Sequence, residues 1–283
     1  MIGKVVLITG ATDGLGKETA RALARMGATV IAHGRNPAKA AKTVREIQRE
    51  TGNANVATLL ADLSSLQQTR DLAAQFTATY DRLDVLVNNA GAAFLRRRET
   101  VDGCEMTFAL NHLSMFLLTN LLLDVIRASA PARIVNMASA AHYRGHIDFD
   151  DLQRARKKYR FFDAYGDSKL ANVLFTYELA RRLDGTGVTA NALHPGFVST
   201  NIGMNNIPLL GGLVRRVIMP LVTEKNAADG ARTGIYLASS LEVEGVTGKF
   251  FIDEQETRSS DESYNEDVQR RLWAVSEALT GLA

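Results

Sequence analysis

Cysteine is nearly absent from this sequence of 283 residues, because Cys104 is its only copy. A single thiol excludes an internal disulfide bond and is typical of a reducing compartment. The first ten residues already contain a strand-like apolar run, which leaves no room for a signal peptide ahead of it. From these absences we expect a cytoplasmic protein.

The chain also lacks a long uninterrupted hydrophobic segment and an excess of charge of either sign. Its most apolar stretch, residues 115–126, is broken by Asn120 and Asp124, so it predicts a buried helix and not a membrane span. The net charge is only +2, with basic and acidic residues interspersed, so no nucleic-acid partner is expected. The histidines are scattered over different predicted elements without ligand spacing, so no metal site is expected either.

What the sequence does contain is a glycine-rich turn between a predicted strand and a predicted helix. Residues 4–9 form an apolar β-branched run, and TGATDGLGKETARALARMG follows with helical spacing of its apolar residues. The bare backbone at Gly10, Gly14 and Gly16 would let N–H groups approach a pyrophosphate at the helix N-terminus. The pattern predicts a dinucleotide site, and a tight turn without a ligand is the alternative.

The end of the second predicted strand discriminates between dinucleotide cofactors. An NAD site usually places an acidic residue there, where it accepts a hydrogen bond from the ribose 2′-hydroxyl. Here residues 28–33 are followed by Arg35, and no acidic residue occurs between Glu18 and Glu46. The Arg35 guanidinium could pair with a 2′-phosphate, although Asp13 occupies a turn position where a second base would have strengthened such a site. We predict NADP(H), with a solvated loop charge as the alternative for Arg35.

Apolar runs and helical patterns alternate along the rest of the chain. This alternation predicts one α/β domain over residues 1–283, a Rossmann-type, doubly wound, parallel seven-stranded sheet flanked by helices, with ligands beyond the carboxyl ends of the strands. The predicted strands lie near residues 4–9, 28–33, 55–60, 83–88, 133–139, 188–195 and 248–252. The predicted helices after the glycine turn cover roughly residues 37–51, 65–80, 101–127 and 163–184.

Two connections at the carboxyl edge are longer than a simple strand-to-helix loop requires. They are residues 140–162 and residues 197–223, and the second is rich in Met, Ile, Leu and Val. Long loops at this edge are suited to form a substrate pocket and its lid. We therefore expect a lipophilic substrate, with an extra packing layer or an oligomer contact as the alternative use of these apolar residues.

Tyr165 and Lys169 lie four residues apart in AYGDSKLANVLF, on one face of a predicted helix. A phenol has an ordinary pKa of about 10, and a cation within a few ångströms can lower it by roughly 1 to 3 units. The pair could therefore protonate a carbonyl oxygen near neutral pH. An ordinary amphipathic helix face would carry the same spacing, so the pair gains meaning only from the other motifs.

Taken together, these motifs resemble those of the short-chain dehydrogenase/reductase family, in its classical form, over nearly the whole chain. TGATDGLG matches the family's Thr-Gly-x-x-x-Gly-x-Gly turn, NNAG at 88–91 its sheet-stabilising motif, and PGFVST at 195–200 the segment that closes on the nicotinamide. The segments SAAHYRGHIDFDDLQ and AYGDSKLANVLFTYELARRLDGTGV further resemble the retinol dehydrogenase branch.

The resemblance implies a catalytic set of Asn111, Ser139, Tyr165 and Lys169. Ser139 would donate a hydrogen bond to the substrate oxygen while Tyr165 transfers the proton. Lys169 would lower the pKa of Tyr165 and hold the ribose of the nicotinamide. Asn111 would hold a water that connects Lys169 to solvent, and the alternative is a buried Asn that caps a helix irregularity. Ser168, next to Lys169, is expected to be a helix-packing hydroxyl.

The implied cofactor site collects residues from five loops at the carboxyl edge and from the predicted helix that carries Tyr165. Its members are Gly10, Thr12, Asp13, Gly14, Leu15, Gly16, Arg35, Asp62, Leu63, Asn89, Ala90, Gly91, Tyr165, Lys169, Pro195, Gly196, Val198 and Thr200.

We therefore predict an NADP(H)-dependent oxidoreductase that interconverts a lipophilic ketone or aldehyde and the corresponding alcohol. A first alternative is an NADPH-binding regulator with little turnover, although such a protein has no need of the proton-transfer residues. A second is a nucleotide-sugar epimerase or dehydratase of the family's extended branch, whose glycine turn has different spacing. The resemblance leaves a monomer and a homo-oligomer, dimer or tetramer, both open.

Overall fold

A mainly parallel β-sheet organises the chain in the computed structural model, which describes residues 1–196 and 226–282. The sheet order is β3-β2-β1-β4-β5-β6-β7-β8. Strands β1 to β7 pair in parallel, as predicted, and the edge strand β8 adds a short antiparallel pairing that the sequence analysis missed. The strands are Val5–Ile8 (β1), Thr29–Ala32 (β2), Val56–Ala57 (β3), Val85–Asn88 (β4), Ala132–Met137 (β5), Val188–His194 (β6), Phe250–Ile252 (β7) and Gln255–Glu256 (β8).

Helices cover both faces of this sheet, so the predicted α/β Rossmann-type class is confirmed. Among the described helices, none combines the length and the apolar character needed to cross a membrane. The α-helices are Gly14–Arg25 (α1), Pro37–Thr51 (α2), Leu66–Thr79 (α3), Met106–Phe108 (α4), Ser114–Leu121 (α5), Leu123–Ala128 (α6), Phe161–Arg182 (α7), Ala227–Ser239 (α8) and Glu266–Thr280 (α9).

Strand alternation divides the core into two halves. Leu7 and Leu86 point to the face covered by α3, α5 and α7, whereas Ile8 and Val87 point to the face covered by α1 and α8. All four side chains are at most 1% exposed. Because helices cover both faces of the sheet and exclude water from them, the central strands consist of continuous apolar residues. This pattern made them predictable from the sequence.

The prediction of one continuous helix over residues 101–127 is wrong. Residues 101–104 form a turn, and the Glu105 carboxylate then caps α4 by accepting hydrogen bonds from the backbone N–H groups of Thr107 (2.9 Å) and Phe108 (2.8 Å). A π-helical turn, Ala109–Leu113, follows before α5. Turns of this kind insert one extra residue and occur often at functional sites. Apolar periodicity alone does not reveal them.

The C-terminal helix α9, to which the sequence analysis assigned no structure, packs against α5 and α7. The Trp273 ring lies 5.0 Å from the Phe116 ring and 5.6 Å from the Phe175 ring, measured between centroids. The Arg182 guanidinium covers the Trp273 ring at 4.0 Å. These contacts bury the outer surface of the helix that carries Tyr165.

A buried carboxylate joins β1 and β4 at their amino ends, opposite the predicted site. The Asp84 side chain is 1% exposed and forms an ion pair with Lys4 at 2.9 Å and with Arg82 at 2.6 Å. It also accepts a hydrogen bond from the Val5 N–H at 2.8 Å. Burial raises the pKa of Asp84, but these three donors outweigh burial and hold the pKa below its ordinary value.

We expect Asp84→Ala to lower the free energy of unfolding by about 3 kcal/mol, because removing one partner of a buried ion pair leaves its donors unpaired. Urea denaturation of wild type and variant measures this difference. Asp261→Ala is the matched control, since the Asp261 side chain is 91% exposed in its pair with Arg258 and should contribute little. Equal effects of both substitutions would contradict the role given to Asp84.

Candidate active site

The glycine-rich turn packs closely on its neighbours at Gly10 and Gly16, where a side chain would have no room. Gly10 and Gly14 have φ values of +65° and +50°, which glycine adopts most easily. A Cβ atom on Gly16 would lie 2.4 Å from Asn89 Nδ2 and 2.5 Å from the Gly10 carbonyl oxygen. The turn therefore brings bare backbone to the N-terminus of α1, which suits the approach of a pyrophosphate.

The segment after β4 is hydrogen-bonded to this turn. The Thr9 hydroxyl accepts from the N–H groups of Asn89 and Ala90, each at 2.9 Å. The Asn89 amide donates to the Thr9 carbonyl at 2.8 Å. These bonds explain physically why the Asn-Asn-Ala-Gly motif stabilises the sheet edge, and they place Gly91 at the entrance of the catalytic region.

His33, to which the sequence analysis gave no role, connects the glycine turn to the end of β3. Its Nδ1 accepts from the Gly10 N–H at 3.2 Å, so its Nε2–H donates to the Ala61 carbonyl at 3.1 Å. Burial lowers the pKa of His33 to about 4, so the imidazole is neutral near pH 7. A histidine at the end of a buried strand, directly before Gly34, was the available signal.

Two pairs of oppositely charged side chains lie where the adenosine end of a dinucleotide would bind. The exposed Arg35 side chain lies 3.4 Å from the Asp62 carboxylate. Lys39, in the first turn of α2, forms an ion pair with Asp13 at 2.6 Å. Lys39 is thus a second base beside the glycine turn, which the sequence analysis had missed because it comes from the next helix.

The carboxyl group of Asp62 is held in its ionised form. Burial raises its pKa, but hydrogen bonds from the backbone and hydroxyl of Ser64, together with the charge of Arg35, outweigh burial and lower it. Asp62 N–H donates to Gln68 Oε1 at 2.8 Å, which orients the start of the loop. A fixed carboxylate at this position suits hydrogen bonding to an adenine amino group.

The remaining predicted cofactor residues lie around the same edge. Thr12 packs against Gly34, because a Cβ on that glycine would lie 2.3 Å from Thr12 Cγ2. Leu15 and Leu63 are buried and therefore act through packing and backbone groups. Pro195 and Gly196 follow β6, whereas Val198 and Thr200 lie outside the described residues, as does the predicted loop 197–223.

Ser139 and Tyr165 meet beyond the end of β5. Ser139 begins a 3₁₀ helix, Ala140–Arg144, and its hydroxyl accepts from the Ala141 N–H at 3.2 Å. Its interaction with the phenol lowers the pKa of Tyr165, but burial raises that pKa more, and the net direction is upward. The structure therefore brings the two hydroxyls together as predicted but reverses the predicted direction of the Tyr165 pKa.

Lys169 explains this reversal. Its Nζ lies 5.6 Å from the centroid of the Tyr165 ring and donates to the Met137 carbonyl at 3.0 Å. The side chain is only 2% exposed, and burial lowers the pKa of Lys169 to about 8. The ammonium is thus directed at a backbone carbonyl and is itself destabilised, so its effect on the phenol is smaller than the helix spacing suggested.

The Asn111 side chain lies in the π-helical turn and is fully buried. Its amide group donates to the Ala92 carbonyl at 3.0 Å and to the Ser168 hydroxyl at 2.9 Å, while its oxygen accepts from the Ala92 N–H at 2.8 Å. Both amide hydrogens are therefore used within the protein. These contacts favour the alternative interpretation, a buried Asn at a helix irregularity, and leave only the oxygen for a water.

Ser168 contributes more than packing. Its hydroxyl donates to the Tyr165 carbonyl at 2.8 Å while it accepts from the amide of Asn111. Gly91 lies opposite, since a Cβ there would be 3.0 Å from Asn111 Oδ1 and 3.4 Å from Lys169 Nζ. Asn111 therefore connects the segment after β4 to the helix that carries Tyr165.

The first predicted substrate loop, residues 140–162, is hydrogen-bonded to residues 258–262 of the C-terminal segment. His142 Nε2 accepts from the Ser260 N–H at 3.1 Å, and the Tyr143 hydroxyl donates to the Arg258 carbonyl at 2.6 Å. Glu262 accepts from the Ile147 N–H at 3.0 Å.

In the described parts of the chain, no group of three or more His, Cys, Asp or Glu side chains could hold a metal ion.

This arrangement, with a glycine turn at a parallel sheet edge and a Ser–Tyr–Lys set beside it, defines a dinucleotide-dependent oxidoreductase. A model of the family "short chain dehydrogenase" matches residues 4–208, and the chain belongs to that family. The predicted resemblance is confirmed.

The chain is also similar to individual proteins along its length. It is 44% identical over 282 residues to human retinol dehydrogenase 13, which covers 99% of this chain and 85% of that protein. A crystal structure of an uncharacterized protein from Mycobacterium paratuberculosis matches with a TM-score of 0.79 at 34% identity, covering 99% of this chain and 94% of the other. A short chain dehydrogenase from Shigella flexneri 2a, solved in complex with NADP, matches with a TM-score of 0.70 at 25% identity, covering 90% and 98%.

We expect acid to destabilise the protein through His33. Its pKa is about 4 in the folded state and about 6.5 in the unfolded state. The neutral imidazole therefore contributes fully to the free energy of unfolding above about pH 6.5, and this contribution is lost as the pH falls towards about 4. The loss amounts to about 3 kcal/mol. Urea denaturation between pH 7.5 and 4.5 should show a shallower pH dependence in His33→Leu than in wild type. His146→Gln, which removes a largely exposed histidine, is the control, and equal slopes in wild type and His33→Leu would refute the assignment.

Titration of Lys169 should limit activity at alkaline pH. Because its pKa is about 8, the ammonium is lost above that pH, and kcat/KM for carbonyl reduction should fall about tenfold per pH unit there. In Lys169→Arg the guanidinium stays charged, so whatever activity remains should not decline until higher pH. Initial rates from pH 6 to 9.5 decide this, and an unchanged alkaline limb in Lys169→Arg would assign the titration to another group.

Proposed function

We propose that this protein is an NADP(H)-dependent oxidoreductase that interconverts a lipophilic ketone or aldehyde and its alcohol. The observation that carries the proposal is the convergence of Ser139, Tyr165 and Lys169 beside the glycine-rich turn. A protein that only binds a dinucleotide has no use for a proton donor at that place. The cytoplasmic location stays a prediction from the sequence, which leaves the oligomeric state open.

The residues divide the reaction between them. When bound, the nicotinamide supplies or accepts a hydride at its C4. The Tyr165 hydroxyl gives its proton to the carbonyl oxygen during reduction and takes it back during oxidation. The Ser139 hydroxyl donates a hydrogen bond to that oxygen, and the nearby Lys169 ammonium stabilises the phenolate that remains. Burial, which raises the pKa of Tyr165, keeps the phenol protonated and ready to donate.

Two basic side chains support the choice of NADP(H). Arg35 is 76% exposed in its 3.4 Å contact with Asp62 and is free to turn towards a phosphate. Lys39, in the first turn of α2, forms an ion pair with Asp13 of the glycine turn. A dianionic 2′-phosphate could recruit both cations, whereas a 2′-hydroxyl could not. The similar Shigella flexneri 2a protein was solved in complex with NADP.

Exposed apolar side chains, one of them a helical turn before Tyr165, support a lipophilic substrate. Phe162 lies one helical turn before Tyr165 and is 74% exposed, and its ring lies 3.8 Å from that of Phe161. Leu95, in the loop after β4, is 44% exposed. The name of the similar human retinol dehydrogenase 13 points in the same direction, because retinol is a long apolar alcohol.

The experiment measures oxidation of NADPH and of NADH with a panel of aliphatic and aromatic aldehydes, ketones, retinal and steroid ketones. We expect turnover that prefers NADPH and a loss of at least a hundredfold in kcat in Tyr165→Phe. Tight NADPH binding without turnover of any compound would instead favour the regulator.

Cofactor preference is tested separately. Arg35→Ala and Lys39→Ala should each raise KM for NADPH about tenfold and leave KM for NADH nearly unchanged, since each cation serves only the phosphate. Arg49→Ala removes an exposed base from the far end of α2 and is the matched control. Equal changes for both cofactors would contradict a 2′-phosphate site at Arg35 and Lys39.

A further inference from the structure

A buried histidine lies three residues after Ser139, in the 3₁₀ helix that follows β5. The His142 side chain is fully buried, and its ring packs against those of Tyr143 and Phe250, with centroids 4.0 Å and 4.6 Å away. Backbone groups contact both of its nitrogens. Nε2 accepts from the Ser260 N–H at 3.1 Å, and Nδ1 lies 2.6 Å from the Ser139 carbonyl oxygen. Ring packing alone would need neither nitrogen.

These two contacts determine which nitrogen carries the hydrogen. A ring nitrogen that accepts a hydrogen bond from a backbone N–H has no hydrogen of its own, so the neutral imidazole carries its hydrogen on Nδ1. His142 Nδ1–H therefore donates to the Ser139 carbonyl. Burial lowers the pKa of His142, which favours the neutral form that both contacts require.

The Ser139 carbonyl receives two hydrogen bonds from this one residue. Besides the bond from Nδ1–H, it accepts from the backbone N–H of His142 at 3.1 Å, and the two donors occupy both lone pairs. The Ser139 hydroxyl accepts from the Ala141 N–H at 3.2 Å, so its own hydrogen is not used by the backbone. The orientation of the Ser139 peptide determines where that hydrogen points, and His142 fixes this orientation.

The end of the 3₁₀ helix packs directly against α7 beside Tyr165. A Cβ on Gly145 would lie 2.5 Å from the Gly166 carbonyl oxygen, and a Cβ on Gly166 would lie 3.1 Å from the Ala141 carbonyl oxygen. The two elements therefore touch backbone to backbone. A shift of the 3₁₀ helix changes the position of Ser139 relative to Tyr165.

We propose that His142 is a positioning residue, which holds the Ser139 carbonyl and through it directs the Ser139 hydroxyl at the substrate oxygen, with the Ser260 N–H as the anchor of its ring. The inference rests on the proposed reductase function and deepens it by adding a residue that touches neither substrate nor cofactor. It also gives the segment before α9 a part in catalysis, although Ser260 lies 118 positions from His142 in the chain.

The first test compares three substitutions of His142. Asparagine keeps an amide N–H near the position of Nδ1, glutamine keeps an amide oxygen near Nε2, and phenylalanine keeps only the ring packing. We expect kcat to fall less than about threefold in His142→Asn and about tenfold in His142→Gln and His142→Phe, with KM for NADPH unchanged. His142→Phe should melt at a higher temperature than His142→Asn, because it retains the buried ring. A kcat that follows the melting temperature would overturn the proposal.

The second test is a double-mutant cycle with Ser139→Ala, measured as single-turnover reduction at saturating NADPH. If His142 acts through the Ser139 hydroxyl, His142→Phe should slow the Ser139→Ala enzyme less than about twofold, although it slows wild type about tenfold. A further loss of about tenfold in the double variant would show that His142 acts independently of that hydroxyl, and this outcome would overturn the proposal.

Tyr177→Phe controls for a loosened C-terminal segment. The buried Tyr177 hydroxyl of α7 lies 2.6 Å from the hydroxyl of Ser259. Its removal weakens the attachment of the same segment but leaves the bond to the Ser139 carbonyl in place. The melting temperature should fall, and kcat should stay within about twofold of wild type. A loss of kcat as large as that in His142→Phe would assign the effect to the whole segment and contradict a specific role of His142.

A third measurement does not depend on turnover. In protein with ¹³C-labelled serine carbonyls, NMR observes the Ser139 carbonyl, whose signal Ser139→Ala identifies. Loss of the Nδ1–H donor should move this signal upfield in His142→Gln and His142→Phe, while His142→Asn and Tyr177→Phe should leave it near its wild-type position. An unmoved signal in His142→Phe would refute the positioning role. A wild type that reduces no carbonyl would refute the proposed function, while the NMR result would still decide whether His142 holds Ser139.

Discussion

The close approach of the β4 end to the turn after β1 is the contact on which the rest of the site depends. Gly16 has no room for a Cβ between Asn89 and the Gly10 carbonyl. The Thr9 hydroxyl and the Asn89 amide then bond the two segments together. Because β4 continues into the segment that contacts Asn111 and Lys169, the same contact relates the cofactor side of the edge to the catalytic side.

Burial, more than any single ion pair, determines the electrostatics of this edge. It lowers the pKa values of Lys169 to about 8 and of His33 to about 4, and it raises that of Tyr165. The result is a protonated phenol beside an amine that titrates near pH 8.

The C-terminal segment completes the catalytic half of the molecule from outside. Helix α9 covers α5 and α7 through Trp273 and reaches the π-helical turn through Ser276. The preceding residues hold the loop after β5 through Ser260 and Glu262. Elements that are remote in the chain therefore hold the segments that carry Asn111, Ser139 and Tyr165.

Much of the fold could be predicted because parallel strands buried on both faces leave continuous apolar runs. Those runs, with the glycines between them, were enough for the chain order of strands β1 to β7, although helix α8 between β6 and β7 was not predicted. The prediction failed where local pattern and tertiary contact disagree. The helix over residues 101–127 looked continuous, but the Glu105 cap and the π-helical turn interrupt it. The edge strand β8 is only two residues long and has no apolar signal.

For the site, the sequence by itself determined which chemistry is present, namely the glycine turn, Ser139, and the phenol and amine one helical turn apart. Only the tertiary structure decided how these groups behave. Desolvation and the Met137 carbonyl depend on which elements surround Lys169, and helix spacing carries no information about either. His33 and Lys39 were missed for the same reason, since each bonds to residues at least 23 positions away in the chain. Local residue pattern determines which groups a helix presents, whereas burial and long-range partners determine their charge and orientation.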